Sequence, residues 1–282
     1  MDLLADIARH LILDLSLLFL LWILLLRSKR RLRRWPLLTQ YRYAHRGYHA
    51  CAEGIPENSL AAFRRAAELG FGAELDVRLT RDGRLAVIHD SDLRRLCGTD
   101  GTVEGQTSEE LSRLRLCGTG ERIPFLEEVL PLFEGRQPLL IELKTCRNCS
   151  QLVDALCAAL KGFGGDFCVE SFDPRTLYLL RLRRPDIIRG QLSKNFLRDG
   201  SVNPIAGFFL TNLCLNWLSR PDFIAYRFAD RGALGLRLCR RLYQVPEFSW
   251  TITSPAQQLA AEEAGATIIF EGFDPERQTQ PS

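Results

Sequence analysis

GAELDVRLTRDGRLAVIHD, from Gly72 to Asp90, decides the fold. Glu74 and Asp76 alternate with Leu75 and Val77, the period-two signature of a strand. Successive strand side chains point to opposite faces, so the two carboxylates share one face and the aliphatic pair the other. Asp82-Gly83 is a turn signal. LAVIHD then reads as a second strand, closing at His89-Asp90.

Working outward, the chain alternates strands and helices. On the N-terminal side, SLAAFRRAAELG (Ser59–Gly70) has an N-cap serine, an apolar stripe and a terminal glycine, which predict a helix. Before it, Arg42–Ala44 is a short strand ending at His45-Arg46-Gly47. On the C-terminal side, residues 91–124 form a polar, glycine-rich excursion. FLEEVLPLF follows as a short helix, then PLLIELK as an apolar strand carrying Glu142 and Lys144 at its end. Residues 151–161 read as helix. Further strands are expected at 166–170, 186–190, 223–226, 247–252 and 267–270, with helices at 174–182, 230–241 and 255–264. A second excursion, 192–221, holds the apolar run GFFLTNLCLNWL, which is too short to cross a bilayer. It reads either as a lid over the mouth of the fold or as a membrane contact.

Repeated βα units with buried strands imply a mostly parallel sheet, and a (β/α)8 TIM barrel fits their number best. Nine strands are counted, however, and no helix fits between residues 78 and 85, which leaves that part of the assignment open. A barrel places its functional groups at the C-terminal ends of the strands, where His45, Glu74, Asp76, His89 and Glu142 are expected.

The first 36 residues differ from the rest. LILDLSLLFLLWILLL (Leu11–Leu26) is apolar except for Asp14 and Ser16. As a helix it spans about 24 Å, and adding Ile7 and Ala8 brings it near a hydrocarbon core of about 30 Å. A secretory signal needs a basic start, whereas this chain opens with Asp2 and Asp6. Arg27, Lys29, Arg30, Arg31, Arg33 and Arg34 follow the run, against Arg9 alone before it. By the positive-inside rule this predicts one transmembrane helix in the cell membrane, with the following domain facing the cytoplasm. A monotopic helix lying in the interface is the alternative. The expected organisation is therefore an anchor with its basic flank at 1–36, a barrel domain at 40–276 with an insertion near 91–124, and a polar tail at 277–282.

Charge narrows the partners. Residues 1–34 hold seven basic and three acidic side chains, while the remainder holds thirty basic against thirty-one acidic. A near-neutral domain carries no broad footprint for nucleic acid, which disfavours a nuclease. Nine cysteines, an odd number in a chain of 282 residues, suit a reducing compartment better than a disulfide framework. Cys146 and Cys149 alone cannot complete a structural zinc site, which takes four ligands.

Two carboxylates held together repel unless a cation or proton intervenes. Glu142 can add a third oxygen, and an all-oxygen set prefers Mg²⁺ or Ca²⁺ to zinc. The bland reading is a set of salt-bridged strand ends neutralised by Lys144 or Arg46. A single histidine at a strand end is usually structural, but His45 and His89 beside carboxylates form a candidate acid–base pair for phosphoryl transfer.

HRG at 45–47, PENS at 56–59, ELDV-x-LT-x-DG from Glu74 to Gly83, VIHD at 87–90 and IELK at 141–144 resemble the glycerophosphodiester phosphodiesterase family, in its membrane-anchored bacterial type. SFDP at 171–174 and Trp250 in SWTI extend the likeness over about residues 42–274. The resemblance implies a TIM barrel with a small inserted subdomain. It also implies metal-dependent hydrolysis of a glycerophosphodiester to glycerol 3-phosphate and an alcohol. By motif, the metal carboxylates fall on Glu74, Asp76 and Glu142, and the catalytic histidines on His45 and His89. Arg46 and Lys144 match phosphate-facing positions, Trp250 the glycerol end of the pocket, and Glu57 or Asn58 positions that orient the metal ligands. Gly47 matches a close backbone approach. One departure stands out: a Thr-Asp-x-Pro-like ending of the last strand is replaced by Ile268-Ile269-Phe270-Glu271-Gly272. The expected partners are a glycerophosphodiester or lysophospholipid and membrane lipid, with no specific protein partner. The rival functions are a phospholipase-D-like hydrolase of lysophospholipids and a non-catalytic, headgroup-binding barrel at the membrane.

Overall fold

The structure, a computed structural model, describes residues 2–28 and 35–275. Lys29–Arg34, most of the predicted basic flank, and the polar tail at 277–282 lie outside the described residues.

Among the described residues nine strands form: β1 (Tyr43–Ala44), β2 (Gly72–Leu79), β3 (Leu85–Val87), β4 (Leu139–Leu143), β5 (Phe167–Ser171), β6 (Arg189–Ser193), β7 (Phe223–Arg227), β8 (Glu247–Ile252) and β9 (Thr267–Phe270). Eight pair in parallel, and β1 closes the ring by pairing with both β2 and β9. This is an eight-stranded parallel barrel with flanking helices.

The ninth strand explains the missing helix. β2 pairs with β4 only as far as Val77–Leu143, and its end runs beyond the rim. There β3 folds back antiparallel, Leu79 opposite Leu85 and Val77 opposite Val87. Gly83 (φ +85°) turns the hairpin, and Thr80 N–H donates to Arg84 O at 2.9 Å. A hairpin needs only a tight turn, whereas a parallel neighbour needs a crossover. His89 is therefore not at the end of a barrel strand, as expected from sequence. It follows an antiparallel strand that descends from above the rim, with Ile88 N–H bonded to Asp76 O at 3.0 Å.

Alternation sorts the strand residues. Ala73, Leu75, Val77, Ile141, Leu143 and Val169 pack outward against helices, while Tyr43, Leu140, Cys168, Phe223 and Phe248 belong to a separate cluster inside the ring. Gly190 makes room there, because a Cβ would fall 2.1 Å from the Phe223 ring. Residues 86–125 contain a further cluster around Ile88, Leu93, Val103, Leu111 and Ile123, so this polar excursion buries an apolar centre of its own.

β6 corrects the expected 186–190: it runs three residues later. Arg189, 1% exposed, breaks the apolar pattern that suggested the earlier boundary. Its guanidinium donates to the carbonyls of Ser219 (3.0 Å) and Ile187 (3.3 Å), which allows it to be buried. The second excursion contains helices Phe196–Asp199, Pro204–Thr211 and Asn216–Ser219.

The N-terminal helix runs from Asp2 to Leu25, and its segment Ala5–Leu25 is long and apolar enough to cross a membrane by length and composition. Leu26, included in the expected span, instead lies fully buried among Leu213, Ile224, Tyr226 and Leu236. All nine cysteines are free thiols.

Candidate active site

His45 follows β1 directly, and its N–H extends the ladder to Phe270 O at 2.9 Å. The chain then bends sharply. Arg46 has φ +55°, and its backbone N–H donates to Glu74 Oε2 at 2.9 Å. Gly47 has φ +78°, and a Cβ there would lie 2.9 Å from the Ala62 carbonyl carbon. Only glycine tolerates both that angle and that approach. Ser59 caps the helix Leu60–Glu68 by accepting from Ala62 N–H at 3.1 Å, as its sequence predicts. This cap holds the preceding Asn58 in place, whose Nδ2 donates to Asp76 Oδ2 at 2.8 Å. Glu57 accepts from Arg46 Nη1 at 2.8 Å and from both terminal nitrogens of Arg95.

Glu74, Asp76 and Glu142 each offer an oxygen within 4.8 Å of the others, and all three are buried. Asp76 stands opposite Glu142, and Glu142 opposite Glu170 on β5. Lys144 Nζ lies 2.7 Å from Asp76 Oδ1 and 2.9 Å from Glu142 Oε1. Arg46 Nε lies 3.5 Å from Asp76 Oδ2. Four buried carboxylates thus face two cations, a formal deficit of two positive charges.

The protonation behaviour follows that imbalance. Burial, reinforced by Asp76 and Glu142, raises the Glu74 pKa well above the ordinary carboxylate value. Burial also pushes Glu142 up to about 7, against the pull of Lys144. At Asp76 burial is outweighed by Lys144, His89 and Arg46, so this carboxyl stays ionised below its usual range. Burial raises Glu170 as well, and its Oε2 has no hydrogen-bond partner among the described residues. A divalent cation would relieve all of these together.

Both histidines line the same cavity of about 230 Å³ as Glu74, Glu142 and Trp250. His45 Nδ1 is 2.5 Å from Glu271 Oε2, and His89 Nδ1 is 2.8 Å from Asp90 Oδ1. A carboxylate at Nδ1 favours the tautomer with its proton there, leaving Nε2 free as acceptor. His45 Nε2 lies 3.9 Å from Glu74 Oε2. Burial lowers the His89 pKa, and Asp76 only partly opposes it. Trp250 meets Phe172 edge-on, ring centroids 5.7 Å apart, and its Nε1 has no partner among the described residues.

All ten residues singled out from sequence fall in or beside this cavity. Glu170, Asp90 and Glu271 were missed as contributors. Glu170 immediately precedes the SFDP motif in the apolar strand FCVES, the same acid-in-apolar-strand signal that marked Glu142. Glu271 had been noted only as a departure in the last strand. It reaches His45, 226 residues away, because β9 closes against β1.

Comparison with known proteins gives this geometry a family. The model of the glycerophosphoryl diester phosphodiesterase family matches residues 45–201. The chain belongs to that family, one of phosphoric diester hydrolases. It is 45% identical over 111 residues to a glycerophosphodiester phosphodiesterase of Caldanaerobacter subterraneus, covering 36% of this chain and 44% of that protein. The match thus spans less than half of that relative's length. Among solved structures, an Oleispira antarctica phosphodiesterase in complex with the product sn-glycerol-3-phosphate superposes with a TM-score of 0.68 at 22% identity, covering 85% of this chain and 95% of that one. The glycerophosphodiester phosphodiesterase of Thermotoga maritima gives 0.62 at 26% identity, with 82% and 93% covered.

Proposed function

We propose that this protein hydrolyses glycerophosphodiesters to glycerol 3-phosphate and an alcohol, using His45 and His89 as an acid–base pair beside a divalent metal. The observation that carries this reading is the pairing of two features in one cavity. Four buried carboxylates, Glu74, Asp76, Glu142 and Glu170, formally outnumber by two the cations facing them, and two histidines beside them have Nδ1 held by carboxylates.

Glu74, Asp76 and Glu142 would hold Mg²⁺ or Ca²⁺, with Glu170 near enough in register to support them. The metal would supply charge neutralisation at phosphorus. Asn58, through Asp76, and Glu57, through Arg46, orient this set. Arg46 and Lys144 present positive charge to the nonbridging oxygens, and Trp250 lines the glycerol end with an indole N–H that is unpaired among the described residues and able to donate to a hydroxyl. One histidine takes the proton of the glycerol 2-hydroxyl as its oxygen bonds to phosphorus. The other protonates the departing alkoxide as the old P–O bond breaks. With the roles reversed, water adds to phosphorus and the bond to the 2-oxygen breaks, giving glycerol 3-phosphate.

The reading extends to placement. Ala5–Leu25, about 30 Å long as a helix, serves as a single-span anchor. The cationic residues that follow it in sequence set the barrel, residues 40–276 with the insertion at 91–124, on the cytoplasmic side.

The test is turnover by the detergent-purified full chain across glycerophosphodiesters and lysophospholipids, with the metal removed and restored. Metal-dependent release of glycerol 3-phosphate from glycerophosphocholine is expected. Preference for lysophosphatidylcholine would move the assignment to a lysophospholipase D. Absence of turnover with every metal would leave a binding barrel.

A further inference from the structure

The helix Pro204–Thr211 is turned inside out. Its buried residues are Gly207 and Thr211, whereas Ile205, Phe208 and Phe209 are exposed by 74%, 51% and 41%. These three occupy positions i, i+3 and i+4 and so form one stripe on the helix. A surface helix of a soluble protein buries such a stripe. Here the small and polar face is inward, with Thr211 Oγ1 accepting from Phe196 N–H at 2.9 Å and Gly207 lying against Leu197. Two neighbouring aromatic rings and an isoleucine are left facing outward.

The position of this stripe indicates what covers it. Asn212, the residue after the helix, accepts from Trp22 Nε1 of the N-terminal helix at 3.2 Å. Asn212 Nδ2 in turn donates to Phe208 O at 3.0 Å. Four residues beyond Trp22, Leu26 is buried among Leu213 and the β7 residues Ile224 and Tyr226. Tyr243 adds a hydrogen bond from its hydroxyl to Ile23 O, at 2.6 Å. The N-terminal helix is thus seated on the barrel by its last turn, while Leu15, Leu18 and Phe19 before it are free of the barrel and 46–61% exposed. If Ala5–Leu25 spans a bilayer, Trp22 stands at the interfacial level near one end of the span. Phe209 and Phe208 lie three and four residues before Asn212, which Trp22 touches, and Ile205 one turn further along the same helix. The aromatic end of the stripe is therefore beside the end of the span.

We infer that Ile205, Phe208 and Phe209 insert into the lipid leaflet that the N-terminal helix enters, giving the barrel a second, monotopic membrane contact. The inference rests on the anchor reading above. Aromatic side chains at the headgroup boundary suit the amphipathic environment there, and apolar area buried in lipid adds to the hold. With two contacts the barrel cannot swivel freely about a single helix. Its orientation on the membrane is fixed.

The test uses the full chain reconstituted in vesicles of phosphatidylcholine and phosphatidylglycerol, with a photo-crosslinking side chain at one position at a time. Phe208→p-benzoylphenylalanine probes the stripe, and Leu18→p-benzoylphenylalanine probes the anchor. Leu69→p-benzoylphenylalanine, 48% exposed in the wild type on the β1–β2 connection across the barrel, is the control. Each variant is first required to give the circular dichroism spectrum and melting temperature of the unmodified chain in detergent, which certifies the fold. Lipid adducts at 208 and 18, without adducts at 69, are expected. Adducts at 18 and none at 208 would overturn the second contact and leave the anchor standing. No adducts at 18 would overturn the anchor reading and this inference with it. A crosslink from 208 to a second copy of the chain would overturn the inference in favour of a dimer, and equal labelling at 69 would remove its specificity.

Discussion

The two halves of the barrel carry opposite surfaces. From β1 to β5 the mouth is built from buried charge: Glu74, Asp76, Glu142 and Glu170 against Arg46 and Lys144. The insertion on that side is tied to the barrel by ion pairs, Arg95 to Glu57 and Arg78 to Glu104. From β6 to β9 attachment is apolar. The N-terminal helix is seated through Leu26 in a cluster of aliphatic and aromatic side chains, and an apolar stripe faces outward beside it. One scaffold therefore separates a charged mouth from an apolar outer face. Apart from the β2–β3 hairpin its strands share one parallel ladder, and the rest of the difference lies in which residues they carry to the mouth or to the outer face.

If that division holds, changes at the charged mouth of the first half should act mainly on activity, and changes in the apolar cluster that seats Leu26 mainly on stability. The largest expected effect is on His45→Ala and His89→Ala. Each removes one member of the proposed acid–base pair and should lower kcat by ~10²–10⁴-fold with an unchanged circular dichroism spectrum. Steady-state kinetics on glycerophosphocholine checks this, and near-wild-type turnover in either variant would break the assignment. Next comes Leu26→Ala. Truncating a fully buried leucine should cost about 2–3 kcal/mol of the stability of that cluster, read as a lowered melting temperature in detergent. Turnover of a water-soluble diester should be retained, and a large loss of kcat would mean that the two halves are coupled.

Much of the charged half was legible because its signals are local. Acids alternating with aliphatics in GAELDVRL put both carboxylates on one face, and Ser59 three residues before Ala62 marked the helix that positions Asn58. Strand candidates stood at or near all nine strands, with β6 expected three residues too early. What the sequence withheld depends on closure and on three-dimensional neighbours. The Asp82-Gly83 turn and the missing helix between 78 and 85 are local signs of a hairpin, but that β3 stands outside the ring is seen only when the parallel strands close without it. Glu271 looked like a departure because its partner is on the opposite end of the domain. Leu26 belonged to the apolar run by composition and to the barrel by packing, and composition cannot separate the two.

Glu271 sharpens the comparison, since it comes from the second half and acts on the first. Its hydrogen bond with His45 holds its carboxyl below the ordinary value, so it is ionised at neutral pH. Glu271→Gln keeps an acceptor for the Nδ1 proton and removes the charge. A residue that orients a histidine through its outer nitrogen typically matters by ~10–100-fold. The expected outcome is a fall in kcat of that order with KM nearly constant. A change confined to KM would show that Glu271 shapes the pocket and does not position His45. The corresponding change at Asp90 acts on His89 from within the first half, where Arg95 also binds the carboxylate.

The smallest effect is expected from the ion pairs that hold the insertion, and it is visible only in acid. Burial alone would raise the Glu57 pKa, but hydrogen bonds from Arg95 and the charge of Arg46 lower it from 4.5 to about 2. The folded value is below the unfolded one, so the unfolded chain binds more protons between those two pH values. Stability from this carboxylate is fully present above pH 4.5 and is lost as pH falls towards about 2. Partial exposure and salt reduce its size, because Arg95 is about half exposed. Melting temperature should therefore be insensitive to Glu57→Gln titration differences between pH 7 and 5. Below pH 4.5 the wild type should lose stability more steeply than the Glu57→Gln variant. Equal acid slopes would show that the insertion is held by its apolar contacts, and the contrast between a polar and an apolar attachment would then fail on the side where it is most visible in sequence.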